Sequence, residues 1–236
     1  MKQDFQNGLK DGVPIALGYF SVSFSFGILA LGGGLTAFQA ALTSFTNMTS
    51  AGQFAGLQII VAGGTLLEMA ATQFIIDLRY ALMSLSLSQK LSEAVNFKQR
   101  LVIAFANTDE IFAAAMGHGK ELTFPYMAGL QILPILGWTA GSAVGAAAGN
   151  ILPTSVNNAL NVALYGMFIA VVIPAAKKAR PVLLTAALAA LLSCLLYYVP
   201  VCTGISAGMS IILCTVAASA VGAVVFPVTD EGGGKR

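Results

Sequence analysis

The sequence has 236 residues, of which 57% are hydrophobic and only 9% charged, with a mean hydropathy of +0.81. Soluble domains carry roughly a quarter charged residues, so this composition excludes a solvated globule and requires lipid around most of the chain. A net charge of +2, with no basic stripe interleaved with aromatics, gives no support to a nucleic-acid partner.

No Asp, Glu, Lys or Arg occurs between Asp11 and Glu68, between Glu121 and Lys177, or between Arg180 and Asp230. Each gap runs to about 50 residues, whereas ~20 apolar residues cross ~30 Å of hydrocarbon, so each holds about two crossings. Cut at Gly, Pro and charged breaks, the apolar segments are 12–34, 37–63, 65–87, 101–117, 124–149, 158–176, 181–199 and 204–227. The expectation is an all-α, polytopic helical membrane protein of about 6–8 transmembrane segments, one or two of them broken or re-entrant. Residues 1–236 are read as a single membrane domain: a first three-segment unit 12–87, a second 101–176, two C-terminal helices in 181–227 and a disordered tail 228–236. Two successive units of three crossings would have opposite orientation, the inverted repeat of many secondary transporters.

Met1 to Asp11 is polar and mixed in charge, unlike the basic region of a removable signal peptide, so the first apolar segment is expected to stay as a span. Lys177, Lys178 and Arg180 form the clearest basic loop and should face the cytoplasm. The loop with Lys90, Lys98 and Arg100 and the two termini make the same claim. If all eight segments cross, that loop falls outside; if 37–63 and 101–117 each dip in and return, it lies inside. Both counts leave the termini cytoplasmic.

Thr43 to Gln53 is a polar, uncharged stretch inside an apolar run, either an unwound break lining a cavity or a surface loop between two short helices. Glu68, Asp77, Arg79, Asp109 and Glu110 fall at apparent membrane depth. A central charge costs roughly 2.5–3.5 kcal/mol there and needs a partner, a cavity or the interface. Asp77 and Arg79 stand close to the polar end of their segment, where an interfacial role is open to both. Asn107-Thr108-Asp109-Glu110 has apolar residues on both sides. A helix broken at this point, capped by Asn107 or Thr108, would favour both acids at its N-terminus. A cavity lining or a loop at the membrane surface are the alternatives. The four-residue glycine spacings at Gly52–Gly56 and Gly141–Gly145–Gly149 are read as close helix packing. Cys194, Cys202 and Cys214 are read as packing residues, and His118 as a surface residue. No nucleophile–histidine–acid set, zinc motif or phosphate loop appears, so neither an enzyme nor a metal or other cofactor is expected.

The Gly12-x-Pro14 start, Ser50-Ala51-Gly52-Gln53-Phe54, Asp77-Leu78-Arg79-Tyr80 and above all Thr108-Asp109-Glu110-Ile111-Phe112 resemble the AzlC family, of the YgaZ type. The resemblance follows the order and spacing of most of residues 8–180, with Asp77 where the family pattern usually has Asn. It implies the large subunit of an exporter of branched-chain or related apolar amino acids across the cytoplasmic (inner) membrane. It also implies a small partner subunit of the AzlD type. On that reading the substrate's carboxylate would meet N–H groups at Ser50, Gly52 and Gln53, or Arg79. Its ammonium would meet Asp109 or Glu110, with Asn107 and Thr108 beside them, and Phe54, Phe112 or Met116 would form an apolar wall. No nucleotide motif is present, so an ion gradient would drive transport, with Glu68, Asp109 or Glu110 as proton carriers. The competing reading is a non-transporting membrane scaffold whose acids serve only as interhelical contacts.

Overall fold

The computed structural model describes residues 2–149, 169, 173, 176–177, 179–199 and 205–226. The connections at 150–158 and 200–203, most of the segment 158–176, and the tail 228–236 lie outside the described residues. Among the described residues the fold is helical. Its helices are α1 (Lys2–Gly32), α2 (Ala37–Thr46), α3 (Ser50–Val61), α4 (Leu66–Lys90), α5 (Phe97–Phe105), α6 (Asp109–Gly117), α7 (Phe124–Gly149), α8 (Arg180–Tyr198) and α9 (Ala207–Val225). Four of them, α1, α7, α8 and α9, are long and apolar enough to cross a membrane. At 25 residues α4 is also long enough, but it carries Glu68, Asp77 and Arg79. The α1 helix starts well before the apolar segment at residue 12, and Asp4 in its first turn suits a helix N-terminus.

The chain forms two compact units, Met1–Leu57 with Ile76–Leu164, and Gln58–Ile75 with Tyr165–Arg236. The first is built on α1 and α7, which pack side by side in parallel. Gly8 lies against Tyr126, Gly12 against Leu130, Gly137 against Ala16, Gly141 against Phe20 and Gly145 against Phe24. A Cβ at Gly145 would fall on the Phe24 carbonyl, and one at Gly8 on the Tyr126 carbonyl, so the backbones approach as closely as glycine permits. The Gly141–Gly145 spacing is therefore a helix-packing face.

Both broken stretches turn back on themselves. Between α2 and α3 the helix stops at Asn47, and Ser44 and Gln53 stand on either side of the break. Nine residues of straight helix would separate them by about 13 Å along the axis, yet Gln53 Nε2 donates to Ser44 Oγ. The returning α3 places Phe54 edge-on to Phe26, near the end of α1 from which α2 set out. The α5–α6 pair is closed at its base instead. Backbone bonds run from Ser92 N–H to Leu122 O (2.9 Å) and from Leu122 N–H to Lys90 O (3.0 Å). They tie the chain entering α5 to the chain leaving α6. Lys90 Nζ also donates to the Ala115, Met116 and His118 carbonyls at the end of α6.

The two re-entrant hairpins come from opposite ends of the unit. The α2–α3 pair follows the C-terminal end of α1, whereas the base of α5–α6 lies by Tyr126, which His118 stacks on at 4.0 Å. Local sequence makes each one. Capping boxes start the inward helices, Thr36 with Gln39 for α2 and Asn96 with Gln99 for α5. The tips meet: Phe45 and Phe105 pack at 5.6 Å, and Met48, Ala106 and Ile111 share one buried cluster with Tyr19 and Trp138.

In the second unit α8 packs on α9, where Gly222 lies against Thr185. Glu68, in the first turn of α4, accepts the Gly208 N–H at 2.8 Å and so caps the start of α9.

Candidate functional site

The convergence of the two tips gathers a set of buried and half-buried polar side chains of the first unit. Four half-helix ends meet there: the C-termini of α2 and α5 and the N-termini of α3 and α6. Irregular backbone at this depth is tolerated only where protein or water satisfies it. Thr108 occupies the N-cap position of α6 in extended conformation but makes no side-chain cap bond. Its hydroxyl instead faces Tyr19, whose O–H donates to Glu110 Oε2 at 2.6 Å. A tyrosine has one proton to give, so with Glu110 taking it, Thr108 is the donor in the second contact. Asp109, beside it in the first turn of α6, takes a salt bridge from Arg79 Nη1 at 2.9 Å. Arg79 Nη2 donates to Tyr80 Oη at 2.9 Å, and the guanidinium lies over that ring. Asn107 is buried and donates from Nδ2 to Ser84 Oγ at 3.0 Å.

On the other tip, Gln53 is fully buried and both ends of its amide are used. It donates to Ser44 and accepts from Trp138 Nε1 at 2.8 Å. Ser44 pairs with Ser142, which donates to the Ser23 carbonyl at 3.1 Å. Trp138 in turn packs edge-on against Tyr19 at 5.2 Å. A polar chain thus runs from Ser142 through Gln53 and Trp138 to a ring contact with Tyr19, and on to Glu110.

Of the residues read from the sequence, Arg79, Asn107, Thr108, Asp109 and Glu110 come together at the α5–α6 tip. Ser50, Gly52 and Gln53 begin α3 at the opposing tip. Phe54 is buried against Phe26, and Phe112 is packed partly buried against the core cluster. Glu68 belongs to the second unit. Asp77 and Arg79 stand near the middle of α4, because that helix continues through Ser84, Ser86 and Ser88 to Lys90.

Sequence reading missed Tyr19, Trp138 and Ser142, and included Ser44 only within the polar run 43–53. The available signal was hydroxyl, amide and indole groups inside α1, α2 and α7, since a polar atom in an apolar span needs a partner. Three buried oxygens around the tips have no protein partner: Ser50 Oγ, Asp77 Oδ1 and Asn107 Oδ1. Unsatisfied groups of this kind are rare inside proteins and invite a ligand.

The family described as AzlC protein matches residues 14–152, a span that contains every member of this site. The chain is 28% identical over 205 residues to "Inner membrane protein YgaZ" of Escherichia coli (strain K12), covering 84% of each chain. It is 31% identical over 172 residues to "Uncharacterized membrane protein" of Archaeoglobus fulgidus, covering 72% of this chain and 75% of that one. No solved structure matches.

Proposed function

The chain belongs to the AzlC family, and on that premise we propose that it is a secondary transporter exporting branched-chain or related apolar amino acids. The observation that carries this reading is the meeting of two re-entrant hairpins from opposite ends, with unsatisfied polar atoms at their tips. Broken helices at mid-depth give a transporter backbone dipoles and side chains where a substrate passes. A zwitterion with an aliphatic side chain suits such a place. The N-terminus of α3 at Ser50 and Gly52 is the group for its carboxylate, with Arg79 as the alternative candidate. One carboxylate among the acids at the tips answers its ammonium, and Phe112 supplies apolar surface.

Orientation follows from charge. Lys2, Lys10, Lys90, Lys98, Arg100 and Lys120 all stand toward one end of the first unit, at the base of α5–α6. By the excess of Lys and Arg on cytoplasmic loops, that end faces the cytoplasm, with the N-terminus; the likeness to an inner membrane protein of Escherichia coli supports the inner membrane as the host. An ion gradient drives export, with Asp109 or Glu110 as carriers, and a small AzlD-type membrane subunit completes the transporter.

The test is flux. Proteoliposomes holding the chain and its small partner should move labelled leucine when a proton gradient is imposed, and much less without the partner. If the complete complex shows no gradient-dependent flux of any apolar amino acid, this reading is wrong.

A further inference from the structure

An α-amino acid carries its ammonium and carboxylate on one carbon. Its site must therefore set an anionic group beside a cationic or N–H-rich one. Asp109 and Glu110 are the obvious anions, yet both are engaged: Asp109 with Arg79, Glu110 with the Tyr19 hydroxyl. Asp77 differs. It sits near the middle of α4, and its Oδ1 is buried without a partner. The neighbouring cation, Arg79, is committed to Asp109 and Tyr80. On the other side the Thr49 side chain lies against Asp77, which brings the first turn of α3 next to it. Ser50, the first residue of α3, also has a buried hydroxyl without a partner.

We propose that the substrate's ammonium binds Asp77 Oδ1, with Ser50 Oγ as a second acceptor, rather than Asp109 or Glu110. This rests on the amino-acid transport reading above and sharpens it. An ammonium has three donors and no acceptor, and the two orphaned oxygens are acceptors. The α3 N-terminus beside them offers N–H groups to the substrate's carboxylate, so the two poles of the zwitterion find opposite partners within one tip. The Arg79–Asp109 pair then acts as a closed neighbour, which keeps Asp109 from competing for the ammonium.

The experiment is equilibrium binding of labelled L-leucine to the full-length chain in nanodiscs, with its small partner, for wild type, Asp77→Asn, Asp77→Glu, Ser50→Ala and Glu110→Gln. L-Leucinamide, which keeps the ammonium and lacks the carboxylate, serves as competitor. Losing a hydrogen-bonded charge partner should weaken leucine about tenfold to a hundredfold in Asp77→Asn. Leucinamide should weaken in parallel. Asp77→Glu should recover part of the loss, Ser50→Ala should weaken binding a few-fold on the same principle, and Glu110→Gln should weaken leucine less than Asp77→Asn does. Melting temperature shows whether each variant is folded; should Asp77→Asn not fold, Asp77→Glu and Ser50→Ala carry the comparison. Folded Asp77→Asn with wild-type leucine affinity overturns the assignment, as does an equal loss in Glu110→Gln. Wild type that binds and moves no amino acid removes the transport reading itself, a separate result.

Discussion

Tyr19 lies in the middle of an apolar helix, and its hydroxyl ties α1 to the start of α6. It holds Glu110 and Thr108 in place at the start of α6, while its ring leans on Trp138. Phenylalanine would keep the ring contact and lose the hydroxyl. We expect Tyr19→Phe to cost about 1–2 kcal/mol of stability, seen as a lower melting temperature in detergent. Transport should fall further than stability alone explains, since Glu110 is no longer fixed. Unchanged melting and flux would mean that the hydroxyl does not hold the tip. Little of this was visible in the sequence. Tyr19 and Trp138 read as ordinary aromatics of membrane helices, and only the fold, bringing residues 19, 53, 110 and 138 to one place, gives their polar atoms partners. The acids were legible for the opposite reason: Asp109 and Glu110 are flanked by apolar residues, and a charge there demands an explanation by itself.

Among the elements, the α1–α7 pair is the frame on which both hairpins hang. Its glycines work by allowing contact between backbones, so side-chain size is the variable to test. Gly145→Leu must push α1 away at Phe24 and should destabilise the protein by about 1–3 kcal/mol, read as a lower melting temperature. Gly18 on α1 has open space around it; Gly18→Ala is the control and should leave melting unchanged. Here the sequence said more. The spacing of Gly141 and Gly145 announced a packing face, although not its partner. The polar runs at 43–53 and 107–110 announced the two breaks within a residue or two, because no continuous apolar helix accommodates them. Helix ends were less legible, as in α4, where serines 84, 86 and 88 look like a terminus but lie within the helix.

At the scale of the molecule, the returning hairpins support the count in which 37–63 and 101–117 dip in and return, and labelling tests it. In a background without native cysteines, Glu93→Cys should react with a membrane-impermeant thiol reagent only from the cytoplasmic face, and Gly32→Cys only from the opposite face. If both broken stretches crossed fully, the two positions would react from one side. Sequence could not settle this, because hydropathy measures how much apolar chain is present and not where it turns. The deciding contacts, Ser44 with Gln53 and Ser92 with Leu122, are single hydrogen bonds that carry no signature in composition.

The two hairpins also keep a common register. Thr36 and Asn96, Gln39 and Gln99, Phe45 and Phe105, and Asn47 and Asn107 occupy matching places in α2–α3 and α5–α6. Each hairpin follows one long helix, α1 or α4, and goes back to the face from which it started. Such a module traverses the bilayer once, an odd number. A tandem copy of it is therefore delivered upside down with no change of sequence, and a chain grown by copying would acquire its antiparallel halves from arithmetic alone.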